Sequence, residues 1–100
     1  MNPLSTADQF PARAGLTIDS SVRLLRNPDI LEMRGIGRTK LDADVKSRLW
    51  PPPVKLGRRC VRWVYAECMA VQKAIIAGCG DDEIRKLVDR LVAARAEELE

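Results

Sequence analysis

The sequence predicts a small α+β fold, in which α-helices surround a single β-hairpin and an extra helix follows at the C-terminal end. Apolar side chains recur at helical spacing in several stretches between residues 28 and 99. Between residues 54 and 63 they alternate instead with basic side chains, around a Gly-Arg-Arg turn. A chain of 100 residues allows one domain with a modest core.

The basic residues are concentrated in the middle of the chain. Residues 22–62 hold eleven Lys or Arg and four acids, a net charge of +7, whereas the remainder holds six basic and ten acidic residues. This middle segment suits an anionic partner, and a helix beside an Arg-tipped hairpin is a shape that fits double-stranded DNA. A solvated basic surface is the alternative that charge alone leaves open.

Composition argues against several other classes of protein. Three Cys without a C-x-x-C spacing, and no His, predict neither a zinc site nor a disulfide framework, so no metal and no cofactor is expected. The absence of His, of paired carboxylates and of a phosphate-binding glycine loop predicts no catalytic residues and no enzyme. No apolar run could span a bilayer, so we expect no membrane partner. The lack of a disulfide framework favours a reducing compartment, so the expected location is cytoplasmic and nucleoid-associated.

The first predicted helix follows an unpatterned N-terminal arm. Residues 22–26 are expected to be a brief strand or an extended lead-in. Asn27 is predicted to cap a helix that runs from Pro28 to Met33 or Arg34 and ends at Gly35.

The chain as a whole is predicted to have three parts. These are a flexible arm (residues 1–21), a candidate DNA-binding domain (residues 22–78), and a C-terminal helix that serves packing or oligomerisation (residues 79–100).

The second predicted helix begins near Arg38, after the Gly35-Ile36-Gly37 turn. Helix, short turn and helix together are typical of a helix-turn-helix, although any αα-hairpin gives the same pattern. Leu41, Val45 and Leu49 fall on the core side. The opposite face has small, hydroxyl and Lys side chains that could contact bases and phosphates, or could simply be solvated. These residues are Thr39, Lys40, Ala43, Lys46 and Ser47, with Asp42 and Asp44 predicted on the flanks.

The hairpin is predicted from the alternation on both sides of Gly57. The run Pro51-Pro52-Pro53 is expected to end the second helix and to fix its angle to the hairpin; a polyproline ligand for an aromatic groove is the alternative. Gly57 is expected to have a positive φ. Val54, Leu56, Val61 and Trp63 are predicted on one face, which packs on the helices with Trp63 as its anchor, and Lys55 and Arg62 on the other. The candidate DNA-contacting residues are Lys55, Arg58, Arg59 and Arg62, unless the basic tip only blocks aggregation.

Two further helices complete the prediction. The third, from Trp63 to Ala77, is mostly apolar and is expected in the core, with part of its surface open to use as an interface. Cys60 and Cys68 are expected to be small buried side chains, and Cys79 is expected to be exposed. Asp81 is predicted to cap the last helix, which reaches about Leu99. Its apolar stripe either packs on its own domain or forms a dimer, and both interpretations stay open. The stripe consists of Ile84, Leu87, Val88, Leu91 and Val92.

Residues 22–77 resemble the AlpA family of small phage and mobile-element regulators, which belongs with the excisionases in the MerR-like winged helix-turn-helix group. The segments RLLRNPDILEMRGIGRTKL and PVKLGRRCVRW, joined by the proline stop, carry the resemblance. It implies site-specific DNA binding with the second helix in the major groove and the hairpin as the wing. The residues to which it points are Arg38, Thr39, Lys40, Lys46, Arg58 and Arg59. The chain departs from the family at Asp42-Ala43-Asp44, and the segment after Gly80 is an extension.

The resemblance implies one of two roles. The first is an excisionase, or recombination directionality factor, which bends an attachment site so that an integrase excises a mobile element. The second is a transcriptional regulator of excision or transfer genes. Bending costs on the order of 1–6 kcal/mol, so a dimer or a cooperative array on the DNA would help. A protein–protein adaptor that uses the last helix is the alternative from another class.

Overall fold

The computed structural model describes residues 22–97, which form four helices and a three-stranded antiparallel sheet. The predicted N-terminal arm and the last three residues lie outside the described part. The elements are β1 Leu24–Leu25, α1 Asn27–Arg34, α2 Arg38–Lys46, β2 Val54–Lys55, β3 Val61–Val64, α3 Tyr65–Ile76 and α4 Asp81–Glu97. The α+β winged helix-turn-helix prediction is confirmed, with α1 and α2 as the helix-turn-helix and β2–β3 as the wing (residues 54–64).

The turn between α1 and α2 has the predicted form. Gly35 adopts a left-handed conformation with φ +67°, which is unfavourable for residues other than glycine. The Gly35 and Ile36 N–H groups donate to the Leu31 carbonyl at 2.8 and 3.2 Å, which closes the end of α1. Ile36 then packs half-buried against the core, so the turn holds both helices to the domain.

The start of α1 differs from the prediction in which residue does the capping. The cap position is Arg26, whose backbone N–H donates to the Asp29 carboxylate at 3.0 Å. Asn27 is the first helical residue instead, and its Oδ1 accepts a 2.6 Å hydrogen bond from Trp63 Nε1. The predicted cap therefore anchors the wing, because it satisfies the indole of a buried tryptophan on β3.

The prolines do not end α2, contrary to the prediction. The helix ends at Lys46, and the Leu49 N–H donates back to the Asp44 carbonyl at 2.8 Å. Arg48 occupies the left-handed position between them with φ +64°. This is the closing motif in which glycine is most common, and a side chain there costs roughly 1–2 kcal/mol. The prolines instead route the chain from this turn to β2.

The wing has a different register from the predicted one. β3 is the central strand, and it pairs with β1 on one side and β2 on the other. Val54 lies opposite Arg62, and Lys55 lies opposite Val61. Directly opposed residues share a face, so each face is mixed, and the predicted separation into an apolar and a basic face is wrong by a slip of one residue.

The tip of the wing is closed without a left-handed glycine. Gly57 does not have the predicted positive φ; among the described glycines only Gly35 and Gly78 do. The Leu56 N–H donates to the Cys60 carbonyl at 2.7 Å, and the Cys60 N–H reaches the Gly57 carbonyl at 3.5 Å. Leu56 was predicted on the packed face, but its side chain is exposed at the tip.

One core joins all the helices to the sheet. Trp63, the predicted anchor of the wing, is buried, and the fully buried Trp50 follows the end of α2. The α3 helix begins two residues later than predicted, at Tyr65, and its last residues, Ile75 and Ile76, are exposed rather than in the core. The buried apolar residues are Leu25, Ile30, Leu41, Trp50, Trp63, Cys68, Val71, Ile84 and Val88.

The three cysteines differ in environment. Cys68 is fully buried, as predicted, and burial raises the pKa of its thiol to about 12, so it stays protonated at neutral pH. Cys79 is exposed, also as predicted, whereas Cys60 is only half-buried.

Between residues 22 and 97 there is no group of Cys, Asp and Glu placed to hold a metal ion. None of the helices described is long and apolar enough to cross a bilayer.

Candidate nucleic-acid interface

The α2 helix presents the predicted polar face to solvent. Leu41 is buried, and Val45 and Leu49 pack half-buried against the core, so the core side is as predicted. The other side is open over the whole length of the helix and into the following turn. The exposed candidate residues are Arg38, Thr39, Lys40, Ala43, Lys46 and Ser47.

Asp44 does not lie on a flank of this face, contrary to the prediction. It is buried, and its Oδ2 accepts a 2.7 Å hydrogen bond from Arg34 Nη1 while its Oδ1 lies 3.1 Å from Lys40 Nζ. The Arg34 guanidinium in turn stacks 4.2 Å from the centre of the Trp50 ring. Arg34, Asp44 and Trp50 therefore form a buried cluster (the α1–α2 cluster) that ties α1 to α2.

The electrostatics of the α1–α2 cluster keep Asp44 charged. Burial alone raises the pKa of this carboxyl, but the hydrogen bonds from Arg34 and Lys40 outweigh burial and hold the pKa below its usual value. Its negative charge is thus neutralised inside the domain and is not presented to a phosphate. Asp42 remains as the one exposed acid between Arg38 and Lys46.

Several candidate side chains on α2 already have partners within the domain. Arg38 pairs with Asp42 at 3.6 Å, both exposed, and Lys40 pairs with Asp44. The Ser47 hydroxyl donates to the Ala43 carbonyl at 2.9 Å. Lys46 forms no ion pair with any residue in 22–97 and is the cation of α2 most available to a ligand.

The wing carries exposed cations that have no ion-pair partner within residues 22–97. Lys55, Arg58 and Arg59 are exposed and form no ion pair with any residue the structure describes. Arg62 is different: it is half-buried, lies opposite Val54, and its Nη1 donates to the Val61 carbonyl at 2.8 Å. The wing therefore presents three of its four candidate residues openly.

The apolar stripe of α4 faces its own domain. Ile84 and Val88 are buried in the core, and the other three residues of the stripe pack half-buried against it. In this arrangement the stripe is used for packing within the chain. Its use in oligomerisation stays an untested prediction.

Four residues that organise this surface were missed by sequence reasoning. Arg34 and Trp50 belong to the α1–α2 cluster, and Glu67 and Arg95 form a second ion pair at 2.6 Å. The ion pairs Arg34–Asp44 and Glu67–Arg95 each join residues on two different helices, so helical spacing within one helix gives no signal for them. A charged residue at a position that helical spacing assigns to the core, such as Glu67 on an apolar helix, is the only sequence indication of a buried pair.

Comparisons with known proteins agree with the fold. Residues 23–73 match the family model of the prophage CP4-57 regulatory protein (AlpA). Over 56 residues the chain is 32% identical to the uncharacterized protein ORF88 of Enterobacteria phage P4, a match that covers 56% of this chain and 64% of that protein, less than two thirds of its length. No solved structure matches the chain significantly. Because the family model spans half of the sequence, the chain belongs to the AlpA family, a family of small DNA-binding regulators rather than enzymes.

Proposed function

We propose that this protein is an excisionase that binds the attachment-site DNA of an integrated mobile element, with α2 in the major groove and the wing on the flanking backbone. The observation that carries this is the combination of an exposed polar helix face with a wing whose three exposed cations, Lys55, Arg58 and Arg59, form no ion pair among the described residues. Exposed cations that are not held in ion pairs within this part of the chain are available for phosphates.

The character of α2 supports contact with base edges. Thr39 and Ala43 are small and exposed, which lets a helix backbone come close to the floor of the groove. Lys46 follows on the same side, one turn further along, and its ammonium can reach a base or a phosphate. The burial of Asp44 supports this interpretation, since an exposed carboxylate at that position would repel the DNA backbone.

The wing supports backbone contact rather than base recognition. Arg58 and Arg59 occupy the turn itself, and a guanidinium forms paired hydrogen bonds with phosphate or enters a narrow minor groove. A protein that holds the groove and the neighbouring backbone at once favours DNA curved toward it. Such bending is what an integrase needs at an attachment site, and the integrase is the protein partner we propose.

Transcriptional control of excision or transfer genes is the second candidate, and the family description as a regulatory protein favours it. Both roles begin with the same binding step. They differ in the DNA that is bound and in whether it is bent.

The test is a gel-shift titration with duplexes from the attachment site and from the promoter of the adjacent genes, in excess non-specific competitor. Circularly permuted fragments report the bend. A specific complex on the attachment site with a bend of tens of degrees supports excision. A specific complex confined to the promoter supports transcriptional control instead. If no complex survives the competitor, specific DNA binding is wrong.

Substitutions separate the two halves of the surface. Thr39→Ala is expected to change the preference among DNA sequences, whereas Arg58→Ala with Arg59→Ala is expected to weaken binding to all of them. Lys86→Ala is the matched control, because Lys86 is an exposed cation on α4, outside the proposed surface. Equal losses from all three changes would contradict the assignment.

A further inference from the structure

The segment between α2 and the wing (residues 47–53, the linker) is held in place by α4. Arg85 Nε donates to the Ser47 carbonyl at 2.9 Å, and Arg48 lies 3.4 Å from Asp89. At the other end of the linker, Arg95 Nη2 donates to the Pro52 carbonyl at 2.7 Å. The linker is thus fastened at both ends by one helix, which lies outside the segment matched by the family model.

Arg95 makes the most extensive of these contacts. Its Nε and Nη2 donate to the two carboxylate oxygens of Glu67 at 2.7 and 2.6 Å, in addition to the bond with Pro52. The Glu67 side chain is only 8% exposed. A planar guanidinium provides this set of bonds, and a lysine ammonium does not have the fork to reproduce it. Arg95 therefore joins α4, the first turn of α3 and the linker.

The β2 strand has few other supports. β3 is held by β1 and by the Trp63–Asn27 hydrogen bond. β2 is two residues long, lies at the edge of the sheet, and pairs only with β3. A cleft of about 350 Å³ lies between the wing and α4, with Val54, Val64, Leu91 and Arg95 among its lining residues. The path of β2 is consequently set where the chain leaves Pro52.

We infer that α4 positions the wing relative to α2, and that Arg95 is the positioning residue. The inference rests on the proposed function, because it concerns how the wing reaches DNA while α2 lies in the groove. Without the bond to Pro52, β2 stays paired with β3, but the angle at which the wing approaches the flanking DNA backbone is no longer fixed. Arg95 itself contacts no DNA in this arrangement.

A double-mutant cycle tests the inference. The tip change is Arg58→Ala with Arg59→Ala. The brace change is Arg95→Met with Glu67→Leu, which removes the bond to Pro52 without leaving a carboxylate buried alone. The measured quantity is the slope of log affinity against log salt concentration on the attachment-site duplex. Folding of each free protein is checked by circular dichroism and thermal melting.

The slope is negative, and the tip change is expected to reduce its magnitude by about two in the otherwise unchanged protein, because each of the two arginines neutralises about one phosphate. In the protein with the brace change, the magnitude is already smaller by about that amount, and the tip change has little further effect. Additive effects in a folded protein overturn the inference while leaving the proposed function intact. No effect of the tip change in the otherwise unchanged protein overturns wing contact itself, and the inference with it.

A second background guards against a brace change that prevents folding. Arg95→Lys keeps a cation beside Glu67 but loses the fork, and we expect it to reduce the effect of the tip change as well. Arg90→Gln is the matched control, because Arg90 is exposed on the same helix and forms no ion pair with any residue in the described range. A cycle that is non-additive with Arg90→Gln, or additive with Arg95→Lys, contradicts the assignment to Arg95.

Discussion

The two parts of the candidate surface, α2 and the wing, are fixed to the domain in different ways. The α2 helix is held by the α1–α2 cluster, in which Arg34 and Asp44 are 10 residues apart in sequence. The wing is held by residues much further away: Trp63 bonds Asn27 across 36 residues, and Arg95 bonds Pro52 across 43. The α2 helix is therefore set mainly by its sequence neighbours, and the wing by the rest of the chain.

Because the two parts are held differently, changes in their supports should affect different properties of the protein. A change in the α1–α2 cluster disturbs buried charge and should act mainly on the free energy of unfolding. A change in the supports of the wing leaves most of the core intact, so it should cost less stability and should also act on how the surface fits DNA. The predictions below are ordered from the largest expected effect on stability to the smallest.

Asp44→Ala is expected to destabilise the protein by about 3–5 kcal/mol, because it leaves the buried Arg34 guanidinium without its carboxylate. Chemical denaturation measures the loss. Asp42→Ala is the control on the same helix: its pair with Arg38 is exposed, so a change of about 0.5 kcal/mol or less is expected. Similar losses for the two variants would show that the α1–α2 cluster does not hold α2.

Acid should weaken the same cluster. Folding lowers the pKa of Asp44, so the native state binds this proton less tightly than the unfolded chain, and acid favours unfolding. The contribution of Asp44 is complete above the unfolded value of 3.8 and is lost as the pH falls through the lower native value. Urea midpoints measured from pH 6 to pH 2 should fall less steeply in Asp44→Asn than in the unchanged protein. Parallel curves would contradict a lowered pKa.

Asn27→Ala tests the anchor of the wing and is expected to cost about 1–3 kcal/mol, since it leaves the buried indole N–H of Trp63 without its acceptor. Thermal or urea unfolding measures the loss. Asn27→Asp keeps an acceptor oxygen and should recover most of the stability. If Asn27→Ala is neutral, the hydrogen bond to Trp63 does not anchor the wing.

The order of elements was predictable from sequence because it rests on local patterns. Helical spacing placed Leu41 and Val45 on the core side of α2, and Gly35 marked the end of α1 as its left-handed φ requires. Alternation located the wing, and Trp63 was identified as its anchor. Each of these signals is contained within a few neighbouring residues.

The burial of Asp44 was not predictable in the same way. Helical spacing places Asp44 on the flank of α2, where a carboxylate is expected to be exposed. The partner that allows its burial, Arg34, lies on another helix. The register of the wing was missed for a related reason: β2 has two residues, and so short a strand gives too little alternation to distinguish a slip of one. The role of α4 in holding Pro52 depends on a contact across most of the domain.

The turn that ends α2 offers a smaller effect of opposite sign. Arg48→Gly should stabilise the protein by about 1 kcal/mol, because glycine adopts φ +64° without strain and the exposed pair with Asp89 contributes little. Ser47→Gly is the control: Ser47 has an ordinary φ of −85°, so glycine there should destabilise by about 0.5–1 kcal/mol. Denaturation midpoints that move in the same direction for both would contradict a strained Arg48.

The salt dependence of DNA binding tests most directly whether the wing tip contacts the DNA backbone. The slope of log affinity against log salt concentration is compared for the unchanged protein, for Arg58→Ala with Arg59→Ala, and for Lys86→Ala. The slope is negative, and we expect its magnitude to be smaller by about two for the tip variant and unchanged for Lys86→Ala. The same slope in all three proteins would contradict backbone contact by the wing tip.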